Sequence, residues 1–198
     1  LIDVKLTTGN ETVVLSSSRG LSVTFAEEEC RTMGRVSRGV RGMSLRENDR
    51  VVSMNIVKEN ASILTICEKG YGKKSDFSDF RVTHRGGLGV KTIANIDRNG
   101  LVVRSLTVLD DDEVLILTRM GMVLRFAIQQ LRTLGRATSG VRLINLKDGD
   151  TIEAVVPLPK DEAEDLGGGE AGALPPAEIH TESGAETETD IGEDSQDA

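Results

Sequence analysis

The sequence predicts an all-β protein made of three repeats of about fifty residues, followed by an acidic tail. The first observation is a recurring Gly-Val pair, whose glycines stand 50 and then 51 residues apart: Gly39, Gly89 and Gly140. The second is another glycine set with the same spacing: Gly20, Gly70 and Gly121. The third is that no amphipathic stretch is long enough for a substantial helix. A period of this length indicates stacked β units.

Each repeat is expected to contain four short antiparallel strands. In the first repeat these are TVVLSS, LSVTF, GVRGMSL and RVVSMNIV, which are rich in β-branched residues. The tripeptides SRG, EKG and RMG stand where a hairpin needs a positive φ, which glycine adopts without steric cost. RENDR, DRNG and KDGD predict a second turn. Four strands per repeat are typical of blades, with approximate boundaries at residues 1–54, 55–106 and 107–157.

Charge divides the chain into a basic body and an acidic C-terminal segment. Residues 1–158 hold 23 Lys and Arg against 19 Asp and Glu, which gives +4. Residues 159–198 hold 1 Lys against 13 Asp and Glu, which gives −12. The acidic segment has no aromatic residue and cannot bury enough apolar surface to offset the entropy lost on ordering. Residues 158–198 are therefore predicted to form a disordered acidic tail.

Composition excludes several classes of protein. Only two cysteines occur, so a disulfide framework is excluded and a reducing, cytoplasmic setting is expected. No apolar run approaches membrane-spanning length. No recurring carboxylate, His or Ser constellation is present, so we expect no catalytic site, no metal site and no cofactor in this chain. Cys30 aligns with Phe80 and Leu131 and is expected to be a core thiol. The chain begins with Leu1 rather than Met, which suggests part of a longer protein.

Basic residues recur at three equivalent positions of the repeat. They are Arg31, Arg81 and Arg132; Arg35, Arg85 and Arg136; and Arg41, Lys91 and Arg142. Asp and Glu are absent from residues 30–46, 80–96 and 114–147, so we expect no local neutralisation. A single surface arginine is usually only a solvated charge. Recurrence in three copies instead indicates a functional patch on the same edge of every blade.

A polymeric phosphate is the expected ligand of this patch. The stretch RVTHRGGLGVKTI fails as a nucleotide-binding loop, because Val90 separates Gly89 from Lys91. Single-strand binders stack bases on aromatic side chains, yet the chain has only four Phe and one Tyr. No recognition helix or zinc-ligand pattern is evident. A regular row of basic side chains suits contact with the backbone of duplex DNA, independent of base sequence.

Several segments resemble the C-terminal domain of the DNA gyrase A subunit. They are LIDVKLTTGN, GLSVTFAEEECRTMGRVSRGVRGMSL, EKGYGKKSDFSDF, RNGLVVRSLTV and GRATSGVRLINL, and the resemblance covers about residues 1–157. It implies a β-pinwheel, a propeller-like fold in which neighbouring blades exchange strands. It also implies a basic rim around which duplex DNA wraps, which lets the parent enzyme introduce negative supercoils with ATP.

The resemblance assigns residues and partners by position. The implied DNA-binding rim consists of Arg31, Arg35, Arg38, Arg41, Arg81, Arg85, Lys91, Arg132, Arg136 and Arg142. Lys73, Lys74 and Arg125, on the second strands, extend this expected set. The implied partners are the rest of the gyrase A subunit and the gyrase B subunit in an A2B2 heterotetramer, in the bacterial cytoplasm at the nucleoid. ATP and Mg would be bound by other domains of that assembly.

The family's hallmark sequence is matched only in part. It is a Gln, two basic residues, two glycines, one basic residue and a glycine. THRGGLGV comes closest, with Thr83 in place of the Gln and Leu88 in place of the last basic residue. We therefore expect the second half of a pinwheel plus a C-terminal tail. Two alternatives remain open: the C-terminal domain of the topoisomerase IV A-type subunit, and a protein-interaction propeller fragment with apolar or mixed-charge edges.

The acidic tail suggests a regulatory role. A segment of charge −12, tethered to a body of charge +4, can compete with DNA for the basic rim at high effective concentration. The alternative is a tail that only increases solubility.

Overall fold

The structure is a computed structural model and describes residues 1–160, so the predicted tail from residue 161 onward lies outside the described residues. Within them, eleven strands form three antiparallel sheets. The strands are β1 (Thr12–Ser17), β2 (Leu21–Ala26), β3 (Val51–Ile56), β4 (Ser62–Cys67), β5 (Tyr71–Asp76), β6 (Val90–Lys91), β7 (Val102–Val108), β8 (Glu113–Thr118), β9 (Val123–Ala127), β10 (Val141–Arg142) and β11 (Ile152–Leu158). The strand orders are β3-β1-β2-β6, β10-β5-β4-β7 and β11-β8-β9.

Helix is minimal in the described part of the chain, as the sequence predicted. One four-residue α-helix, α1 (Ile96–Asn99), takes the place of the predicted turn DRNG, and three 3-10 turns follow the second strands at Glu27–Glu29, Phe77–Asp79 and Ile128–Gln130. No helix among residues 1–160 has the length and apolar character needed to cross a membrane.

The first hairpin of each repeat turns at a glycine with positive φ. The φ angles are +74° at Gly20, +84° at Gly70 and +84° at Gly121, a region that glycine enters without steric cost. This confirms the turn chemistry predicted from the SRG, EKG and RMG tripeptides.

Neighbouring repeats exchange a strand. Strand β6 belongs to the second repeat but pairs with β2 of the first, with Lys91 opposite Leu21. Strand β10 belongs to the third repeat but pairs with β5 of the second, with Arg142 opposite Tyr71. Each of the first two sheets therefore holds three strands of its own repeat and one from the next. The exchange that the family resemblance implied is present.

The two ends of the array depart from the four-strand prediction. The predicted first-repeat strand GVRGMSL is not formed, because the sheet it would join would belong to a preceding repeat, and none precedes it within residues 1–160. The third sheet has three strands among the described residues, because no following repeat within residues 1–160 supplies a fourth strand. A strand at this position therefore forms only when a neighbouring repeat supplies its partner.

Two of the three Gly-Val glycines, Gly89 and Gly140, are required by this exchange. Gly89 has φ +82°, and a Cβ there would lie 2.3 Å from the Ser22 carbonyl oxygen. Gly140 has φ +76°, and its Cβ would lie 2.6 Å from the Gly72 carbonyl oxygen. Gly39 has φ +79°, but none of the described atoms would lie within 4 Å of a Cβ at this residue. The glycines thus permit close approach of the exchanged backbone to the preceding sheet.

Strands β3, β7 and β11, each at one edge of its sheet, pack side by side and are joined by side-chain hydrogen bonds; we call them the inner strands. The Asn55 amide donates to the Ser105 carbonyl at 3.0 Å, and its oxygen accepts the Thr107 N–H at 3.0 Å. Arg104 donates to the Val155 carbonyl at 3.0 Å. These bonds occupy polar groups that burial would otherwise leave unsatisfied.

Apolar contacts between repeats explain one incorrect expectation. Phe80 lies in a buried cluster that includes Val14 of the first repeat, and Leu131 lies in the core shared by the second and third repeats; both are buried. Cys30, at the same repeat position, is exposed, so the expected core thiol is wrong. Burial at this position depends on a preceding sheet, which Cys30 lacks within residues 1–160.

Candidate nucleic-acid interface

The recurring basic residues lie on three loops that hydrogen bonds join to one another. The Ser44 N–H donates to the Gly87 carbonyl at 2.8 Å, which joins the loop of the first repeat to that of the second. The Ala94 N–H donates to the Thr138 carbonyl at 3.1 Å and joins the second to the third. The loops therefore form a continuous row along the array.

This row lies on the side of the sheets remote from the inner strands. In the strand orders, β6 and β10 occupy the sheet edge opposite to β3 and β7, and they carry Lys91 and Arg142. We call this row the basic edge. Its exposed members are Arg31, Arg35, Arg38, Arg41, Arg81, Lys91, Arg132 and Arg142, and its half-buried members are Arg85 and Arg136.

Arg85 and Arg136 make the same hydrogen bond in successive repeats. Arg85 Nη1 donates to the Arg41 carbonyl at 3.1 Å, and Arg136 Nη1 donates to the Lys91 carbonyl at 2.7 Å. Each guanidinium thus holds the main chain at an exposed cation of the preceding loop. A guanidinium has five N–H donors, so one such bond still leaves donors for a phosphate.

One carboxylate lies within the basic edge. The main-chain N–H of Arg85 donates to Glu29 Oε2 at 3.0 Å, and Arg85 Nε donates to the Glu29 carbonyl at 3.0 Å. The Glu29 carboxylate therefore lies at the junction of the first two repeats, but it accepts from the Arg85 main chain and lies 3.3 Å from His84 Nδ1, while the Arg85 guanidinium meets the Glu29 main-chain carbonyl. Glu29 lies just outside the acid-free segment 30–46, and the exchanged loop of the second repeat brings Arg85 to it.

Lys73 and Lys74 do not lie on the exposed edge. Their exposed fractions are 1% and 5%. Lys73 Nζ donates to the Gly135 carbonyl at 2.7 Å and to that of Arg136, and burial lowers the pKa of Lys73 to about 8. Lys74 Nζ forms an ion pair with Asp110 at 2.7 Å. Their expected exposure was wrong, because the exchanged loop of the third repeat covers this strand.

Arg125 is likewise neutralised locally. Its Nε pairs with Glu113 on the neighbouring strand, and the two side chains are 19% and 20% exposed. Lys73 and Lys74 are thus buried and Arg125 is half-buried and paired with Glu113, whereas eight of the ten rim residues are exposed on the basic edge.

Two cations beside this edge were not predicted from the sequence. Arg19 and Arg46 line, together with Lys91, a groove of about 490 Å³ at the junction of the first two repeats. Both are exposed. Arg19 stands 50 residues before Lys69, so the two basic residues occupy equivalent positions of the repeat. This recurrence is a sequence signal by which Arg19 could have been identified. Arg46 precedes a turn, and only the folded chain brings it to Lys91.

The described residues offer no cluster of three or more His, Cys, Asp or Glu side chains that could hold a metal ion. What the basic edge provides is a row of permanent positive charges on a rigid β scaffold. Such a row attracts polyanions.

The chain matches the family model described as DNA gyrase C-terminal domain, beta-propeller, over residues 11–58, 61–108 and 112–159. The DNA gyrase A subunit of Chlamydia pneumoniae is 45% identical over 156 residues, which are 78% of this chain and 19% of that protein. The DNA gyrase A subunit of Staphylococcus aureus is 38% identical over 167 residues, 83% of this chain and 19% of that protein. The chain thus spans about a fifth of the length of these curated relatives.

Solved structures share the fold. A DNA gyrase A C-terminal domain superposes with a TM-score of 0.70 at 28% identity, covering 77% of this chain and 52% of that one. The C-terminal domain of a DNA topoisomerase IV superposes with a TM-score of 0.77 at 23% identity, covering 83% and 52%. The second likeness shows the fold alone.

Proposed function

Because this chain belongs to the DNA gyrase C-terminal domain family, we propose that its basic edge binds duplex DNA and wraps it. The binding would be independent of base sequence. The wrapped segment would serve a DNA gyrase that introduces negative supercoils with ATP, in the bacterial cytoplasm at the nucleoid. The remainder of the gyrase A subunit and the gyrase B subunit, in an A2B2 heterotetramer, would supply DNA cleavage and the sites for ATP and Mg.

The observation that carries this proposal is the continuous row of exposed cations along three hydrogen-bonded loops. Contact with phosphates releases condensed counterions, so a row of this kind binds any duplex with a strong dependence on salt. Repetition at equivalent positions also suits a wrapped duplex, because each repeat offers the same contact farther along the array. The contacts offset the elastic cost of bending, which is on the order of 1–6 kcal/mol for a site of 20–30 base pairs.

Two alternatives receive less support. A protein-interaction propeller would present apolar or mixed-charge edges, whereas the basic edge carries ten cations, with the Glu29 carboxylate hydrogen-bonded to the main chain of one of them. A topoisomerase IV domain is similar in fold at 23% identity, whereas the two gyrase A relatives match in sequence at 45% and 38%.

The test compares two charge-matched double variants of the full chain. Arg81→Ala with Arg132→Ala removes two exposed cations of the basic edge. Lys5→Ala with Lys58→Ala removes two cations that line a cavity with Asn55 and Pro157 at the inner strands. The affinity for a duplex of random sequence is measured by fluorescence anisotropy over a range of salt concentrations.

The slope of log affinity against log salt should fall by about 1.8 in the first variant, at about 0.9 per lost phosphate contact. The slope should be nearly unchanged in the second. Equal slopes in both variants would show that the basic edge acts only as general surface charge.

A further inference from the structure

We infer that Tyr71 is a positioning residue that prepares Arg142 to contact a DNA phosphate. The inference rests on the proposed function, and it concerns the contact between the second and third repeats. Tyr71 begins β5, and Arg142, on the exchanged strand β10, is its direct partner across the two strands.

Contacts with Tyr71 and Asn145 hold the Arg142 side chain. Its Nη2 donates to the Tyr71 hydroxyl at 2.8 Å, its guanidinium carbon lies 5.3 Å from the centre of the Tyr71 ring, and its Nη1 donates to Asn145 Oδ1 at 3.3 Å. Both distances to Tyr71 are typical of a hydrogen bond and of a cation–π contact. Arg142 remains exposed, so a phosphate can approach its side chain.

Tyr71 is itself held by Arg98, an arginine of its own repeat. The Arg98 guanidinium carbon lies 4.5 Å from the ring centre, and Arg98 is fixed by donating to Asn99 Oδ1 at 3.0 Å and to the Ser139 carbonyl at 3.1 Å. The ring therefore links an anchored arginine to an exposed one. Its half-burial agrees with a part in both packing and the surface.

The arrangement occurs in the middle repeat alone among the three. The residues equivalent to Tyr71 are Leu21 and Met122, which have neither a ring nor a hydroxyl. The cation opposite Leu21 is Lys91, whose ammonium makes no hydrogen bond within residues 1–160. Arg142 is therefore ordered before DNA arrives, and a pre-ordered side chain loses less conformational entropy on binding.

Removal of the Tyr71 side chain should weaken DNA binding without removing charge. In Tyr71→Leu the affinity should fall about three- to tenfold, because DNA binding must then immobilise the Arg142 side chain, which costs conformational entropy. The slope against salt should stay the same, because Arg142 still reaches its phosphate. Tyr71→Phe, which keeps the ring and loses the hydroxyl, should show a smaller loss. Leucine is tolerated at this position in the first repeat, so Tyr71→Leu should fold.

The decisive experiment is a double-mutant cycle in the full chain, with Tyr71→Leu, Arg142→Ala and the combination, measured by anisotropy on one duplex. We expect Tyr71→Leu to have no further effect once Arg142 is absent. Met122→Leu, at the equivalent position of the third repeat, is the matched control and should bind like the wild type. If the two losses add, or if Tyr71→Leu binds like the wild type, Tyr71 does not act through Arg142. If the wild-type chain itself shows no salt-dependent binding, the proposed function fails instead.

Discussion

Because neighbouring repeats exchange strands, we predict that alanine destabilises the protein to different extents at two glycines of nearly equal backbone conformation. Gly89 and Gly39 have φ angles of +82° and +79°, so alanine should incur the same left-handed strain at both, about 1–2 kcal/mol. They differ in surroundings. A Cβ at Gly89 would lie 2.3 Å from the Ser22 carbonyl oxygen, whereas none of the described atoms is within 4 Å at Gly39.

The contact at Gly89 is with main chain and cannot be relieved by a side-chain rotation. Strand β6 must move away from β2, which weakens a ladder of only two residue pairs, Leu21–Lys91 and Ser22–Val90. Overpacking costs about 1–3 kcal/mol, and each weakened hydrogen bond about 0.5–1.5 kcal/mol. Gly89→Ala should therefore lower the free energy of unfolding by about 2–4 kcal/mol more than Gly39→Ala.

The assay is urea unfolding of the full chain followed by circular dichroism, with the midpoint compared at unchanged slope. Gly140→Ala serves as a second copy of the effect, because its Cβ would lie 2.6 Å from the Gly72 carbonyl oxygen. DNA affinity should fall in the same order, since β6 carries Lys91. Equal destabilisation by Gly89→Ala and Gly39→Ala would refute the idea that these glycines serve the strand exchange.

Three further predictions concern groups elsewhere in the chain. A thiol reagent such as DTNB should modify the exposed Cys30 rapidly in the native protein and Cys67 only on unfolding. Burial keeps the Cys67 thiol inaccessible and raises its pKa to about 12. Rapid modification of both cysteines would contradict the structure. Burial lowers the pKa of Lys73 from 10.5 to about 8, so the unfolded chain binds more protons between these values. The free energy of unfolding should therefore rise with pH across that window relative to Lys73→Met, measured by urea unfolding at several pH values, and parallel profiles would exclude the shift. Truncation after Pro159 removes 1 Lys and 13 Asp and Glu, a charge of −12, and should tighten DNA binding at low salt if the tail competes for the basic edge. In anisotropy titrations the gain should shrink as salt screens the charges, and equal binding of both chains at low salt would leave the tail only a solubility role.

Much of the fold could be predicted from the sequence, because its signals are local. The period of the glycines, the β-branched segments and the hairpin glycines Gly20, Gly70 and Gly121 each depend on a few neighbouring residues, and the structure confirms the all-β repeats and these turns. The strand GVRGMSL was predicted wrongly for the opposite reason. Its pairing depends on another repeat, and its own composition holds no information about that partner.

The candidate site, like the fold, could be predicted where its signals are local in sequence. The recurrence of Arg31, Arg81 and Arg132 on exposed loops follows from the repeat frame, and the structure places these residues on the basic edge. Lys73 and Cys30 were misplaced, one expected at the surface and one in the core. In both cases the error concerns contacts with a neighbouring repeat, which are present at Lys73 and missing at Cys30 within residues 1–160.

The sequence by itself determined the repeat, the hairpins and the positions of the recurring cations, because these follow from residue type and spacing along the chain. Only the tertiary structure decided which cations are buried and which are exposed. Lys73 is buried because the loop at Gly135, 62 residues away in sequence, crosses over it and accepts its hydrogen bond. Arg142 is exposed yet ordered because strand exchange sets it beside Tyr71. Burial and side-chain order depend on contacts distant in sequence, and a spacing pattern cannot encode them.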